Sequence, residues 1–329
     1  MSANLPQKPK SCWVITDGSA GMENQCIGLA EALEVPFDIK RIVTKRPWRW
    51  LPPTFWVNPL GQLKPEGDLL LPPWPDLVIT CGRQAIPMSM AIRKAGRGKT
   101  FTVHIQTPNI SATNFDLLVV PEHDRLRGDN VLVSLGSLTR ITPEKLEAEK
   151  QKFSESLSDL ASPVVTVLVG GPNRCYDVTP EVMKDLCQKL DALHQETGCS
   201  YLVTTSRRTG ADNARMLQET LANLPHILWN GEGDNPYFAY LEKADAVIVT
   251  ADSVNMVCEA ATAGKPVFVF PLPGGNRKFK FFHQSMLEKG YTRPFDGRIT
   301  LFSPPALAET TRIAALVHKS RELHQTRQG

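Results

Sequence analysis

Short runs of consecutive apolar residues alternate with longer amphipathic stretches, most regularly after residue 160. The runs at 164–169, 201–205, 227–229, 246–250 and 267–270 carry apolar residues on both faces, which predicts short strands covered on both sides, as in a parallel sheet. Helical spacing between them predicts helices at 180–196, 211–224, 236–243 and 254–263. A strand followed by a helix, repeated, is the pattern of a doubly wound α/β domain.

The first half repeats this style less evenly. Strands are expected at 13–16, 39–43, 77–81, 100–105, 117–120 and 131–135, with helices at 23–33 and 84–95. Residues 46–75, rich in Pro and Trp, interrupt the pattern as a long insertion, and insertions of that length in compact domains are usually functional. A charged helix at 143–160 runs into Ser162-Pro163, where a junction is placed. The expected domains are 1–162 and 163–304, with a helix in 305–329 packing back across the first domain.

Composition narrows the class. The 329 residues suffice for two cores, and 42% hydrophobic with 22% charged residues is ordinary for a globular protein. A net charge of +3 does not argue for nucleic acid. The seven cysteines show no Cys-x-x-Cys spacing and the seven histidines no metal-ligand spacing, so neither a disulfide framework nor a bound metal is expected. The N-terminus lacks the apolar core of a leader. No apolar run reaches the roughly 20 residues of a membrane span. A cytoplasmic protein is expected.

In open α/β sheets, ligands bind beyond the carboxyl ends of the strands. In the second domain those ends read Gly170-Gly171-Pro172-Asn173, then Ser206-Arg207-Arg208-Thr209, then Asp252-Ser253 leading into a helix with Asn255, Met256 and Glu259. Glycines admit a ligand close to the backbone, and arginines suit a diphosphate. Asn255 and Glu259 share one face near a helix N-terminus, an end that favours phosphate. Glu259, a turn further in, suits a ribose diol. Each loop alone also reads as solvated surface, and at most one of the two arginines need point inward. In the first domain Asp17, Glu23, Asn24 and Gln25 follow the opening strand. This turn is neither Gly-x-Gly-x-x-Gly nor a Walker loop. Asp17 is open to two readings there, helix capping or a role toward an acceptor.

Together, Asp17-Gly-x-x-Gly-x-Glu23-Asn24-Gln25, Gly170-Gly171, Thr205-Ser206-Arg207-Arg208-Thr209 and Asp252-Ser253-x-Asn255-Met256-x-x-Glu259 resemble the mitochondrial fission ELM family over residues 11–300. Its bacterial members are described as glycosyltransferases. The resemblance implies a GT-B-like fold of two Rossmann-like domains facing a cleft. It also implies a UDP-type nucleotide sugar held in the second domain with Glu259 on the ribose. Met22 stands where the family motif Gly-His-Glu-Asn-Gln has its His, which leaves Asp17 or Glu23 to deprotonate an acceptor. The reading is a metal-independent glycosyltransferase with no cofactor beyond its nucleotide-diphosphate sugar. The acceptor would be a lipid-linked or envelope glycan. A non-hydrolysing nucleotide-sugar epimerase and a non-catalytic fission-type adaptor are the alternatives.

Residues 45–56 place three tryptophans among Lys45, Arg46 and Arg49. That mixture suits a membrane interface, and the protein would then be peripheral to the inner membrane. The same composition also fits a Pro-braced loop packing its rings inward. Nucleic acid is not expected as a partner.

Overall fold

The computed structural model of the chain describes residues 8–328. Most of the N-terminal segment searched above for a leader, residues 1–7, lies outside the described residues. Contacts divide the chain into two units, residues up to Arg140 together with Ala308 onward, and Ile141–Leu307.

The first unit is built on a six-stranded parallel sheet in the order β2-β1-β3-β4-β5-β6. Its strands are β1 (Cys12–Thr16), β2 (Phe37–Arg41), β3 (Leu77–Cys81), β4 (Phe101–Ile105), β5 (Leu117–Pro121) and β6 (Val131–Ser134). Side chains alternate between the two faces. Cys12 and Val14 join Leu77 and Ile79 in one core, against α1 (Ala20–Ala32), with Ile313, Ala314 and Val317 of the C-terminal helix. Ile15 and Val78 join a second core with Met88 and Ile92 of α2 (Ala85–Ala95) and Trp56, Leu63 and Leu70 of the insertion. The insertion thus supplies part of a covering layer. It contains three short 3-10 turns at Trp48–Trp50, Pro53–Phe55 and Pro59–Gln62.

The second unit carries another six-stranded parallel sheet, in the order β12-β11-β10-β7-β8-β9. Its strands are β7 (Val164–Val169), β8 (Ser200–Thr205), β9 (His226–Trp229), β10 (Ala246–Thr250), β11 (Val267–Phe270) and β12 (Thr292–Pro294). Helices α3 (Pro143–Lys152), α4 (Pro180–Thr197), α5 (Ala211–Leu221), α6 (Tyr237–Lys243), α7 (Val254–Thr262) and α8 (Arg277–Glu288) belong to this unit, and α9 (Glu309–Gln328) to the first. Every residue of β7 and β10 is buried, the expected state of a central strand covered on both faces.

Some boundaries differ from those read in the sequence. The first unit ends at Arg140 rather than 162, because α3 packs on α6 inside the second unit. α3 stops at Lys152 because the hydroxyls of Ser154, Ser156 and Ser158 bond to nearby carbonyls and compete with the helix ladder. α9 begins at Glu309, past Pro304 and Pro305, and its Glu309 and Thr310 accept hydrogen bonds from the Leu135 and Thr139 amides. α8 and β12 were not foreseen.

Candidate functional site

The strand order of the second unit reverses at its centre. β7 pairs with β8 on one side and β10 on the other, and the chain leaves these neighbours in opposite directions. Loops leaving β7 and β10 therefore diverge and open a crevice at the sheet edge. Gly170–Asn173 follow β7, and Asp252-Ser253 follow β10.

Asp252 organises this edge. Its side chain is fully buried and accepts from the Thr250 hydroxyl at 2.7 Å, the Gly171 amide at 3.0 Å and the Arg208 guanidinium at 2.8 Å. Arg208 also donates to the Gly171 carbonyl at 2.9 Å. Donors of this number offset the hydration a carboxylate loses on burial. The loop after β8 is therefore tied to the loops after β7 and β10. The tie is tight: a Cβ on Gly170 would lie 2.2 Å from both Asp252 oxygens, and one on Gly171 2.2 Å from the Arg208 backbone.

The remaining residues divide into those that build the loops and those left facing outward. Thr209 is buried and bonds to the Val169 carbonyl, and its hydroxyl also accepts from the Ser206 amide at 3.0 Å. Asn173 caps its own turn, accepting from Cys175 and Tyr176 amides at 2.7 and 3.0 Å. Arg207, by contrast, is exposed and makes no ion pair or hydrogen bond among the described residues. Ser253 is the N-cap of α7 and accepts from the Met256 amide at 3.4 Å. Asn255 and Met256 are half-buried in the first turn. The helix dipole makes that end favourable to an anion.

Glu259 sits about one turn deeper, roughly 5–6 Å along the axis from Asn255. It is 8% exposed, and Tyr237 of α6 donates to its Oε2 at 2.7 Å. Among the described residues, Oε1 accepts no hydrogen bond. Burial pushes the carboxyl up from 4.5 to about 7, against the Tyr237 hydrogen bond, which pulls it down. Burial and the neighbouring carboxylate raise the Tyr237 hydroxyl well above its ordinary range, so it stays a donor. The sequence reading missed Tyr237; Asn235, which accepts from the Tyr237 amide at 3.1 Å, and Pro236 at the start of α6 were local signals. It also missed His283 of α8, which donates Nε2–H to the Ala251 carbonyl at 2.8 Å and braces the turn. Burial lowers the His283 pKa, which favours the neutral ring.

In the first unit the order also reverses beside β1, between β2 and β3. Asp17, exposed after β1, accepts from the Ser19 amide at 3.2 Å and from Gln84, after β3, at 3.1 Å. Glu23 lies in the first turn of α1 and takes both Arg41 nitrogens at 2.8 Å, one on each oxygen. Such a bidentate pair occupies both carboxylate oxygens. Met22 lies against Gly82 and the core.

The tryptophans of the insertion part company. Trp56 is buried and Trp48 packs beside it, ring centroids 6.1 Å apart, whereas Trp50 is 62% exposed with Arg46 over its face at 5.1 Å. Two of the three rings read as a possible interface patch are therefore packing residues. Phe55 and Val57 join Trp50 on the exposed side. Among the described residues no helix is long and apolar enough to cross a membrane, and no group of three or more His, Cys, Asp or Glu is placed to hold a metal ion.

A sequence model of the family described as Mitochondrial fission ELM1 matches residues 20–320. The Mitochondrial fission protein ELM1 of Arabidopsis thaliana is 29% identical over 272 residues, 74% of this chain and 64% of that protein, so the match spans less than two thirds of that relative. An uncharacterized protein of Rickettsia prowazekii (strain Madrid E) is 24% identical, over 95% of this chain and 99% of its own length. Among solved structures, UDP-GlcNAc 2-epimerase from Neisseria meningitidis, bound to UDP-GlcNAc, is similar with a TM-score of 0.51 at 16% identity. That likeness covers 94% of this chain and 99% of that one. It establishes the fold as GT-B-like, with two Rossmann-like parallel sheets.

Proposed function

This chain belongs to the mitochondrial fission ELM1 family, and from that premise we propose that it binds a nucleoside-diphosphate sugar, of the UDP type, in its second unit and transfers the glycosyl group to an acceptor hydroxyl. One observation carries the reading: at the β7/β10 reversal three loops are locked together by Asp252, with Arg207 exposed on the loop after β8 and the α7 N-terminus and Glu259 following the loop after β10. In this reading the diphosphate lies against the α7 N-terminus and Arg207, and a ribose hydroxyl donates to Glu259 Oε1. Charge grows on the diphosphate as the anomeric carbon–oxygen bond breaks, and Arg207 with the helix N-terminus stabilises it without a metal ion. The acceptor oxygen bonds to that carbon and gives its proton to a base. Asp17 suits this role better than Glu23, whose oxygens are engaged by Arg41.

The occupied Glu23, together with Met22, also favours a second reading, a nucleotide-binding adaptor without turnover. The test is incubation with a panel of nucleotide sugars, with and without a bacterial lipid extract. Release of nucleoside diphosphate that depends on the extract supports transfer, and its loss in Asp17→Asn assigns the base. Binding with no release under any condition supports the adaptor. Interconversion of the sugar without acceptor overturns both in favour of an epimerase. The lipid-linked acceptor, and a location at the inner membrane surface, belong to this proposal and rest on the cationic, partly apolar insertion.

A further inference from the structure

A groove of about 730 Å³ lies within the first unit, between the insertion and α2. Volumes of a few hundred to about 1,000 Å³ are those of small-molecule sites. One wall is Trp56 and Leu60; the other is Pro87, Met90 and Ala91, which recur three and four residues apart and so share one face of α2. The same face continues to Lys94, and Arg97 follows just past the helix end. Both cations line the groove, both are exposed, and neither has an acidic partner among the described residues. No carboxylate lines it. The wall is held in place: Trp56 donates from its ring to the Leu51 carbonyl at 3.3 Å, and Lys45 braces the Gly61 carbonyl at 3.0 Å. Phe55 and Val57, on either side of Trp56 in sequence, are 68% and 70% exposed.

An apolar trough with a cationic end matches a molecule with an apolar chain and an anionic head. We propose that this groove binds an anionic membrane lipid, its chain between Trp56 and α2 and its headgroup at Lys94 and Arg97. Trp50, Phe55 and Val57, with Arg46 and Arg49, would rest against the surrounding bilayer. Interfacial aromatics beside basic residues suit that boundary. The inference rests on the lipid-side reading above and is independent of the nucleotide site.

The test titrates dodecyl phosphate, as monomer, into the full chain by calorimetry. Saturable binding of one molecule per chain is expected, not displaced by UDP and not reproduced by inorganic phosphate. Ala91→Trp, which fills the trough, should abolish it. Exposed-site double replacement Lys94→Glu, Arg97→Glu should weaken it at least tenfold and should reduce co-sedimentation with vesicles containing phosphatidylglycerol. UDP binding should be unchanged in both variants, which separates failure of the groove from failure of the nucleotide site. The proposal is overturned if the wild type does not bind dodecyl phosphate, if UDP or inorganic phosphate displaces it, or if the charge-reversed variant binds it as tightly as wild type. Equal affinity for the neutral dodecyl maltoside would also overturn it.

Discussion

Arg207 and Arg208 are neighbours with opposite tasks, which no sequence pattern could separate, because the difference lies in Asp252, 44 residues from Arg208 along the chain. Replacing Arg208 with Ala leaves a buried carboxylate short of a cation. We expect a loss of about 2–3 kcal/mol in unfolding free energy, less than for a fully buried pair because solvent reaches Arg208. Affinities for uridine and UDP should fall together. Arg207→Ala should leave stability within about 0.5 kcal/mol and weaken UDP while sparing uridine; calorimetry with both ligands reads the contrast. Glu259 gives a second prediction. Its folded pKa of about 7 exceeds the ordinary 4.5, so the folded state holds that proton more tightly than the unfolded chain does. The group's contribution to stability is thus complete below about pH 4.5 and is lost as pH rises through 7. Denaturant unfolding of Glu259→Gln should lack this decline. A ribose hydroxyl donating to Glu259 favours the ionised form, so uridine affinity should rise from pH 6 to 8 in the wild type and stay flat in Glu259→Gln. A wild-type profile flat over that range would remove Glu259 from the ribose site.

At the scale of elements, the central strands were legible because burial on both faces demands an unbroken apolar run, and β7 and β10 are such runs. β12 was not: it has three residues, ends in Pro294 and lies at the sheet edge, where pairing rather than composition defines it. α8 was overlooked because its charged residues mask the stripe formed by Phe282, Ser285 and Met286. Its N-cap, Asn276, which accepts from Lys278 and Phe279 amides, was a readable signal. The strand-end loops could be placed at one sheet edge from the sequence, but the backbone-on-backbone contact between them could not. That contact makes Gly171→Ala a sharp probe. A Cβ there meets the Arg208 backbone, which cannot swing aside as a side chain can. Overpacking of this kind costs about 1–3 kcal/mol, and the shift should break the Gly171–Asp252 bond. Nucleotide affinity should drop at least tenfold. Unchanged affinity would mean the loop carries no ligand.

Over the whole molecule, each unit has its own sheet and core, and the first is discontinuous in sequence. The helical pattern near the C-terminus was readable, but the place of α3 was not, because its attachment to α6 is a tertiary choice. Ending the chain at Leu307 removes Ile313, Ala314 and Val317 from the first core. Calorimetry of that variant should show the first unit's transition lowered or lost. The second unit's transition should remain and still rise with UDP, as any ligand of the native state requires. Loss of both transitions would show that the second unit depends on the first. The discontinuity also orders events during synthesis. Residues 308–328 are made after everything the second unit needs. At about 5–20 residues per second, they take roughly 1–4 s to add. Through that interval a nascent chain carries a first sheet missing one of its covering helices. The half of the protein encoded first is therefore completed last, and its uncovered apolar face is the surface a ribosome-bound chaperone would meet.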